Sequence, residues 1–279
     1  MIARSGFFKL TERTLLAFSG PDASRYLNGQ LSINIPQLAP LMARPACLLD
    51  AKGRLCAHLH LWRDADRFII EAPTSRLEEI QARLERYIIA DDVTLTLLPD
   101  SPTYHVFGAP APAGSLAINR VGIPGYDTPT PPVDLPEANP PDIERLRITH
   151  GIPAWGLELT ATTLPHEARL EDTSIDFDKG CYIGQEIVSR LKSVAHVNKR
   201  LHGFRGILPL PLPDNCTLHT SVSDAPAGRL TSATQHFDMA QSVALGYLNR
   251  QFESADQFHV RDHEGRDIGS VERQPFPIP

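Results

Sequence analysis

Residues 174–192 read SIDFDKGCYIGQEIVSRLK, and the rest of the chain is best interpreted outward from this stretch. Cys181 stands between two glycines, and apolar residues with helical spacing follow, so an amphipathic helix is predicted from Gly184 to Lys192. The positive end of that helix and the nearby Lys179 both favour a thiolate. The stretch therefore predicts a reactive thiol at Cys181, with a small buried structural cysteine as the alternative.

The same stretch resembles a family signature. Residues 179–186, KGCYIGQE, together with Arg190 are similar to the K-G-C-[FY]-x-G-Q-E motif of the YgfZ family, folate-binding relatives of the glycine-cleavage aminomethyltransferase. The matching residues are Lys179, Gly180, Cys181, Tyr182, Gly184, Gln185, Glu186 and Arg190. The resemblance implies an accessory protein that supports assembly or repair of iron–sulfur enzymes, including those of tRNA modification. It also implies reduced folate and iron–sulfur enzymes, or their assembly factors, as partners.

Composition limits the classes of protein that remain. The 279 residues are enough for two domains, and the net charge of −6 argues against a polyanion binder. The four cysteines are widely spaced without a C-x-x-C pair, which argues against a zinc finger and indicates a reducing compartment. With no apolar run near the ~18 residues that span a bilayer, and no signal peptide, a cytoplasmic protein without membrane contact is predicted.

The N-terminal part shows the pattern of a mixed sheet. Residues 54–62 alternate cleanly, with Leu55, Ala57, Leu59 and Leu61 on one strand face. Between Leu15 and Leu98 the predicted order is β-α-β-β-β-α-β, which is α+β with ferredoxin-like pieces rather than doubly wound.

A proline-rich segment follows. Residues 99–141 contain eleven prolines, so only short strands are predicted there, at 104–107 and 115–119, with disorder in part of 126–139. A helix is predicted over 143–150. Further strands from Asn198 onward predict a small antiparallel β-barrel, and we therefore divide the chain into a GcvT-like folate-binding region, 1–197, and a barrel domain, 198–279.

A second resemblance concerns the folate site. Residues 147–168 are similar to the R-x-x-x-G-x-P-x-x-G…P-x-E segment of the aminomethyltransferase (GcvT), where the matching glutamate binds the pterin ring. The resemblance assigns Glu167 to the pterin, with Arg147 and Tyr182 as further folate-binding residues. The implied cofactor is tetrahydrofolate or a one-carbon derivative. The alternative for Glu167 is a solvated surface carboxylate.

One departure bears on activity. The aminomethyltransferase carries an aspartate on the strand that here holds Cys56 and Ala57, and neither side chain can replace a carboxylate as proton acceptor. We therefore predict that the protein is not an active aminomethyltransferase, and whether it catalyses another reaction is left open. A folate-dependent one-carbon transferase and an RNA-interacting tRNA-modification factor remain the alternatives.

Two further patterns have weaker interpretations. Cys56, His58 and His60 share a strand face, which makes a metal site conceivable, but such faces often carry histidine, and no bound metal or cluster is predicted. The run from Ile187 to Pro213 is basic, without an acidic residue. Because the net charge is negative and aromatic residues are few, a solvated linker is favoured over direct nucleic-acid binding.

Overall fold

The structure is a computed structural model, and it describes residues 5–193, 196–238 and 240–279. The described chain forms two open antiparallel sheets, a closed six-stranded barrel and four α-helices. The predicted α+β class with a C-terminal barrel is therefore confirmed.

The first sheet has the predicted order of elements. They are β2 (Arg13–Ser19), α1 (Ala23–Gln30), β3 (Arg44–Leu49), β4 (Leu55–Asp64), β5 (Arg67–Pro73), α2 (Leu77–Glu85) and β6 (Thr94–Leu97). The strands lie in the order β3-β4-β5-β2-β6. Alternation along β4 buries Leu55, Ala57, Leu59 and Leu61 to 1% exposure or less, as its sequence pattern requires.

The proline-rich segment forms most of a second sheet. Its strands are β1 (Gly6–Lys9), β7 (Tyr104–Phe107), β8 (Leu116–Ile118) and β9 (Gly125–Thr128), in the order β1-β7-β9-β8. The prolines lie outside these short strands, where no ladder hydrogen bond is lost. Disorder in part of 126–139 stays a prediction, and it does not apply to the start of that range, where Tyr126 is buried and pairs with Val106.

Two helices lie before and after the long loop region between residues 150 and 184. Helix α3 (Pro140–Thr149) starts three residues before the predicted helix, because Asn139 accepts a hydrogen bond from the Asp142 amide at 2.9 Å and the prolines suit the first turn. Helix α4 (Gln185–Ser193) begins directly after Gly184, as the signature predicted.

The closed barrel contains the remaining strands. They are β10 (Lys199–Ile207), β11 (Thr217–Thr220), β12 (Ser223–Gln235), β13 (Ser242–Asn249), β14 (Gln257–Arg261) and β15 (Asp267–Gln274), closed in the order β10-β13-β12-β11-β14-β15. Its centre is apolar, with Phe204 and Phe258 edge to face at 5.9 Å. The first barrel strand begins at Lys199, and the division of domains at 197/198 stays a prediction. Among the described helices, none has the length and apolar character needed to cross a bilayer.

Candidate functional site

Lys179 fastens the signature segment to the N-terminal part of the chain. Its side chain is buried, and Nζ donates to the backbone carbonyls of Asn28, Leu31 and Ile33 at 2.6, 2.6 and 2.8 Å. Burial lowers the pKa of Lys179 to about 8. All three of these hydrogen bonds go to backbone carbonyls. The geometry therefore shows no interaction by which the Lys179 ammonium stabilises a thiolate at Cys181, although the sequence predicted one.

The residues before Lys179 fix the same contact. Ser32 Oγ donates to the Ser174 carbonyl at 2.5 Å and accepts from the Cys47 amide at 2.8 Å. Asp176 binds the Arg44 guanidinium through both oxygens at 2.8 and 2.9 Å. Since Asp176 also accepts from the Asn34 amide at 2.6 Å, hydrogen bonds hold the segment 174–179 against the segment 28–34, which is far away in sequence.

Gly184 allows the signature loop to pass close to the turn after β3. Its φ is +88°, and a Cβ there would lie 2.7 Å from the Asp50 carbonyl oxygen. The turn approaches just as closely from its own side, because a Cβ on Gly53 would lie 2.9 Å from that of Ile187. Two glycines therefore define where α4 starts.

Cys181 is the exposed one of the four cysteines. Cys47 and Cys216 are buried and Cys56 is half-buried, whereas the Cys181 thiol faces solvent. Glu186 and Arg190 are exposed as well. The signature therefore presents a thiol, a carboxylate and a guanidinium at the surface, supported by a fixed loop.

Tyr182 faces the opposite way. It is 7% exposed in a cluster with Cys47, Leu49 and Val188, and the Lys179 ammonium lies 4.9 Å from its ring centroid. Burial raises the pKa of Tyr182. This packing makes Tyr182 a core residue, and its assignment to folate stays a prediction.

Glu167 is buried in a tight turn. Its Oε2 accepts a hydrogen bond from the Leu164 amide at 3.1 Å, and its own carbonyl accepts from Leu201 of β10 at 2.8 Å. Within the described chain, no hydrogen bond is found to Oε1. Glu167 is therefore a buried carboxylate with one available oxygen, and the alternative of a solvated surface residue is excluded.

Arg147 joins α3 to the barrel. Its guanidinium donates to Glu144, to the Ile152 carbonyl at 2.8 Å, to Glu158 at 2.9 Å and to Ser232 at 2.9 Å. These bonds use all five N–H groups. The resemblance predicts that Arg147 binds folate. Since all its N–H groups bond within the protein, its guanidinium instead fits a structural role, in which it joins α3 to the barrel.

A cavity of about 240 Å³ lies where β4 and β5 meet the loop that leads to Glu167. We call it the junction cavity; its side chains include those of His58, His60, Glu71, Arg120, Trp155 and Leu159. Arg76 lies over the Trp155 ring at 4.9 Å, which fixes the indole. Sequence reasoning missed Glu71 and Arg120, because their pairing joins strands that are distant in the chain.

The two histidines of the junction cavity are neutral. His58 Nε2 lies 3.0 Å from Ser174 Oγ, and His60 Nδ1 lies 3.8 Å from Glu71. Burial, with repulsion between the rings, lowers the pKa of His58 to about 3; burial and the nearby Arg120 lower that of His60 to about 4. Within residues 5–193, 196–238 and 240–279, no group of three or more His, Cys, Asp or Glu is placed to hold a metal.

A larger open cavity, about 750 Å³, lies beside the end of α4. His166 lines it and is 7% exposed, and neither ring nitrogen has a partner among the described residues. The basic run contributes little free charge here, since Arg200 pairs with Glu171 and the Lys192 ammonium lies 3.7 Å from the Phe177 ring centroid. These contacts argue against an RNA-binding stripe, but the prediction of a solvated linker is wrong as well, because much of the run forms the end of α4 and the barrel strand β10.

Comparison with known proteins gives sequence relatives. No protein-family model matches the chain. It is 30% identical over 241 residues to "Iron-sulfur cluster assembly factor IBA57, mitochondrial" of Homo sapiens, covering 73% of this chain and 67% of that protein. It is 25% identical over 306 residues to "tRNA-modifying protein YgfZ" of Klebsiella pneumoniae, covering 96% of this chain and 91% of that protein.

Other relatives are longer than this chain. The IBA57 homolog of Chaetomium globosum is 27% identical over 245 residues, which is 71% of this chain but 55% of that protein. Among solved structures, the glycine cleavage system aminomethyltransferase T from Bartonella henselae matches with a TM-score of 0.84. The match covers 100% of this chain and 87% of that one at 17% sequence identity, so it shows a shared fold.

Proposed function

The chain belongs to the family of YgfZ and IBA57 proteins, and on this premise we propose that it is a folate-binding accessory protein for iron–sulfur enzymes. It would support their assembly or repair, including enzymes that modify tRNA. Its partners would be reduced folate and iron–sulfur enzymes or their assembly factors, in the cytoplasm. The names of the relatives support the pathway, and the residues of this chain support the ligand.

The observation that carries the folate proposal is the state of Glu167. The Glu167 side chain is largely buried, and its Oε1 has no hydrogen-bond donor among the described residues but keeps some solvent contact, so the N–H edge of a pterin would supply a donor to this oxygen. Glu167 follows Trp155 and Leu159 on one loop, and its neighbour Ala168 packs in the same cluster as both. An aromatic wall and a carboxylate acceptor are therefore provided by adjacent parts of one segment.

The junction cavity, which Trp155 and Leu159 line but Glu167 does not, is the space that we assign to part of a folate. Its volume of about 240 Å³ lies below the roughly 300–1,000 Å³ of typical small-molecule sites, so it suits the bicyclic ring with the tail outside. Trp155 would stack on the ring, and the neutral His58 and His60 would hydrogen-bond its edge. Tetrahydrofolate, when bound, supplies a one-carbon carrier.

Cys181 would act toward the protein partner. Its thiol is exposed on a loop that Lys179, Gly184 and Asp176 hold in place, and Glu186 and Arg190 lie on the surface of the helix that follows. We infer that this surface meets the iron–sulfur enzyme or assembly factor, while folate binds in the interior.

A titration with tetrahydrofolate, followed by tryptophan fluorescence, tests the folate proposal. Trp155 should respond, and Glu167→Gln should weaken binding by about 1.5–3 kcal/mol, the range for a hydrogen bond to a charged group. Glu264→Gln, which changes an exposed carboxylate on the barrel, serves as the matched control and should bind normally. Equal affinity of Glu167→Gln and the native protein would remove Glu167 from the site.

A further inference from the structure

Arg169 has an unusual backbone for its residue type. The amides of Ala168 and Leu170 both donate to the Pro165 carbonyl, at 3.1 and 3.0 Å, which closes the turn. Arg169 then stands in the left-handed region with φ of +60°, a place where such turns prefer glycine or asparagine. Because an arginine at this position strains the backbone, the Arg169 side chain suggests a functional role that offsets the cost.

Among the described residues, the Arg169 guanidinium is not paired directly with a carboxylate, although Glu171 and Asp172 lie near enough to act on its charge. Within the described residues the guanidinium forms no salt bridge or hydrogen bond, and it lies over the Phe276 ring, with its guanidinium carbon 5.7 Å from the ring centroid. Burial, and then repulsion from Arg200, lowers the pKa of Arg169. The nearby Glu171 is already paired with Arg200.

A second unpartnered group lies beside it. His202 of β10 has a buried Nε2 without a hydrogen-bond partner in the described chain. Burial and then the charges of Arg169 and Arg273 lower the pKa of His202 to about 4, so the ring is neutral and can donate one N–H. Arg273 of β15 adds a second guanidinium, held by Asp256 at 2.6 Å.

These groups line one groove of about 470 Å³, with Phe276 on its wall. The Phe276 ring is held in place by two glycines, since a Cβ on either Gly151 or Gly203 would come within 2.8 Å of it. The lining charges are two arginines against the single carboxylate of Asp256, an excess of positive charge.

We propose that this groove, between the turn at Arg169, His202 and Arg273, binds a small anion through a carboxylate or phosphate group. Arg169 would supply a bidentate donor pair and His202 a single N–H, both to the same anionic group. None of the groove residues lines the junction cavity, so anion binding and folate binding can be tested separately.

Calorimetric titrations with inorganic phosphate and with succinate, at constant ionic strength, test the site on the whole protein. At least one anion should bind saturably, and Arg169→Asn should weaken its binding by about tenfold or more. Asparagine tolerates the left-handed backbone, so this variant should fold normally, which thermal unfolding checks. Arg86→Asn removes an exposed arginine in the same way and should leave binding unchanged.

The stronger anion identifies the source: preference for phosphate indicates a phosphorylated metabolite, and preference for succinate indicates an organic acid. In either case the His202 side-chain signal should shift in a ¹H–¹⁵N spectrum during the titration. Absence of saturable binding of both anions, or equal binding by Arg169→Asn, would overturn the proposal.

Discussion

Lys179 shows how much of the fold one signature residue supports. Its ammonium donates to three backbone carbonyls, those of Asn28, Leu31 and Ile33, at the end of α1 and beyond. Lys179→Met keeps the apolar stem but leaves these buried acceptors without a charged donor. We expect a loss of about 3 kcal/mol or more in the free energy of unfolding, measured by urea titration. Lys52→Met, on an exposed turn, should change it by less than about 0.5 kcal/mol.

The Cys181 thiol is exposed to solvent and to reagents, unlike the other three thiols. Burial raises the pKa of Cys47 to about 12 and also raises the pKa of Cys56 and Cys216. Iodoacetamide reacts with the thiolate form of cysteine, and burial disfavours that form at the other three cysteines. At neutral pH, the reagent should therefore modify Cys181 first and Cys47 last, as followed by peptide mass spectrometry. Initial modification of Cys47 or Cys216 would contradict the exposure of Cys181 and the burial of the other two thiols.

The function of that thiol needs a cellular test. Cys181→Ser should fold normally, because the side chain is exposed, but should fail to restore iron–sulfur enzyme activity in cells that lack the protein. Cys216→Ser makes the same atomic change at a buried barrel position and should restore activity if it folds. Full rescue by Cys181→Ser would leave only a structural role for the cysteine.

At the scale of elements, the start of α4 depends on how closely two loops approach. Gly184 and Gly156 both have φ of +88°, but a Cβ at 184 would lie 2.7 Å from a carbonyl oxygen, whereas nothing lies within 4 Å at 156. Gly156→Ala should therefore cost about 1–2 kcal/mol of stability, the backbone contribution alone. Gly184→Ala should cost about 1–3 kcal/mol more, from the steric contact. Thermal unfolding of both variants measures the difference, and equal losses would disprove a close contact.

The elements also show what the sequence could predict. The alternation of β4 and the apolar spacing of α4 are local patterns, and both elements lie where the sequence placed them. Strand β9 was missed because four residues between prolines carry little periodicity, and its place depends on pairing with β7. The resemblance predicts that Tyr182 and Arg147 bind folate. The structure buries Tyr182 in a core cluster and pairs Arg147 with Glu158, and a sequence motif specifies neither of these tertiary contacts. The groove around Arg169 likewise needs three distant segments to meet.

At the scale of the molecule, a buried ion network joins the two open sheets. Glu71 of β5 binds Arg13 at 2.5 Å and Arg120 at 2.5 and 2.8 Å, and Arg120 continues to Asp127 of β9 at 2.6 Å. Burial alone would raise the pKa of both carboxyls, but Arg120 holds the pKa of Glu71 at about 2, and the hydrogen bonds with His105 and then Arg120 hold that of Asp127 at about 2. The charged forms are therefore favoured in the folded state.

The network predicts how stability depends on pH. The ordinary pKa of glutamate is 4.5, so the contribution of Glu71 is complete above that value and is lost as pH falls from about 4.5 toward 2. We expect Glu71→Gln to lose about 3 kcal/mol at pH 7 and to show a flatter fall in stability below pH 5. Glu78→Gln, on the exposed side of α2, should retain the native profile. An unchanged acid profile in Glu71→Gln would place the acid sensitivity elsewhere.

The whole molecule shares its fold with an aminomethyltransferase, yet we expect no aminomethyl transfer. Ala57 is fully buried in the core behind β4, so its position does not face the junction cavity, and Cys56 offers no carboxylate. An iminium that develops on the substrate would therefore lack its proton acceptor on this strand. With an aminomethylated lipoyl carrier and tetrahydrofolate, formation of methylenetetrahydrofolate should stay at the level of the protein-free reaction, while a glycine-cleavage aminomethyltransferase in parallel gives product. Turnover of about 1 per second or more by this protein would require another residue to act as the acceptor.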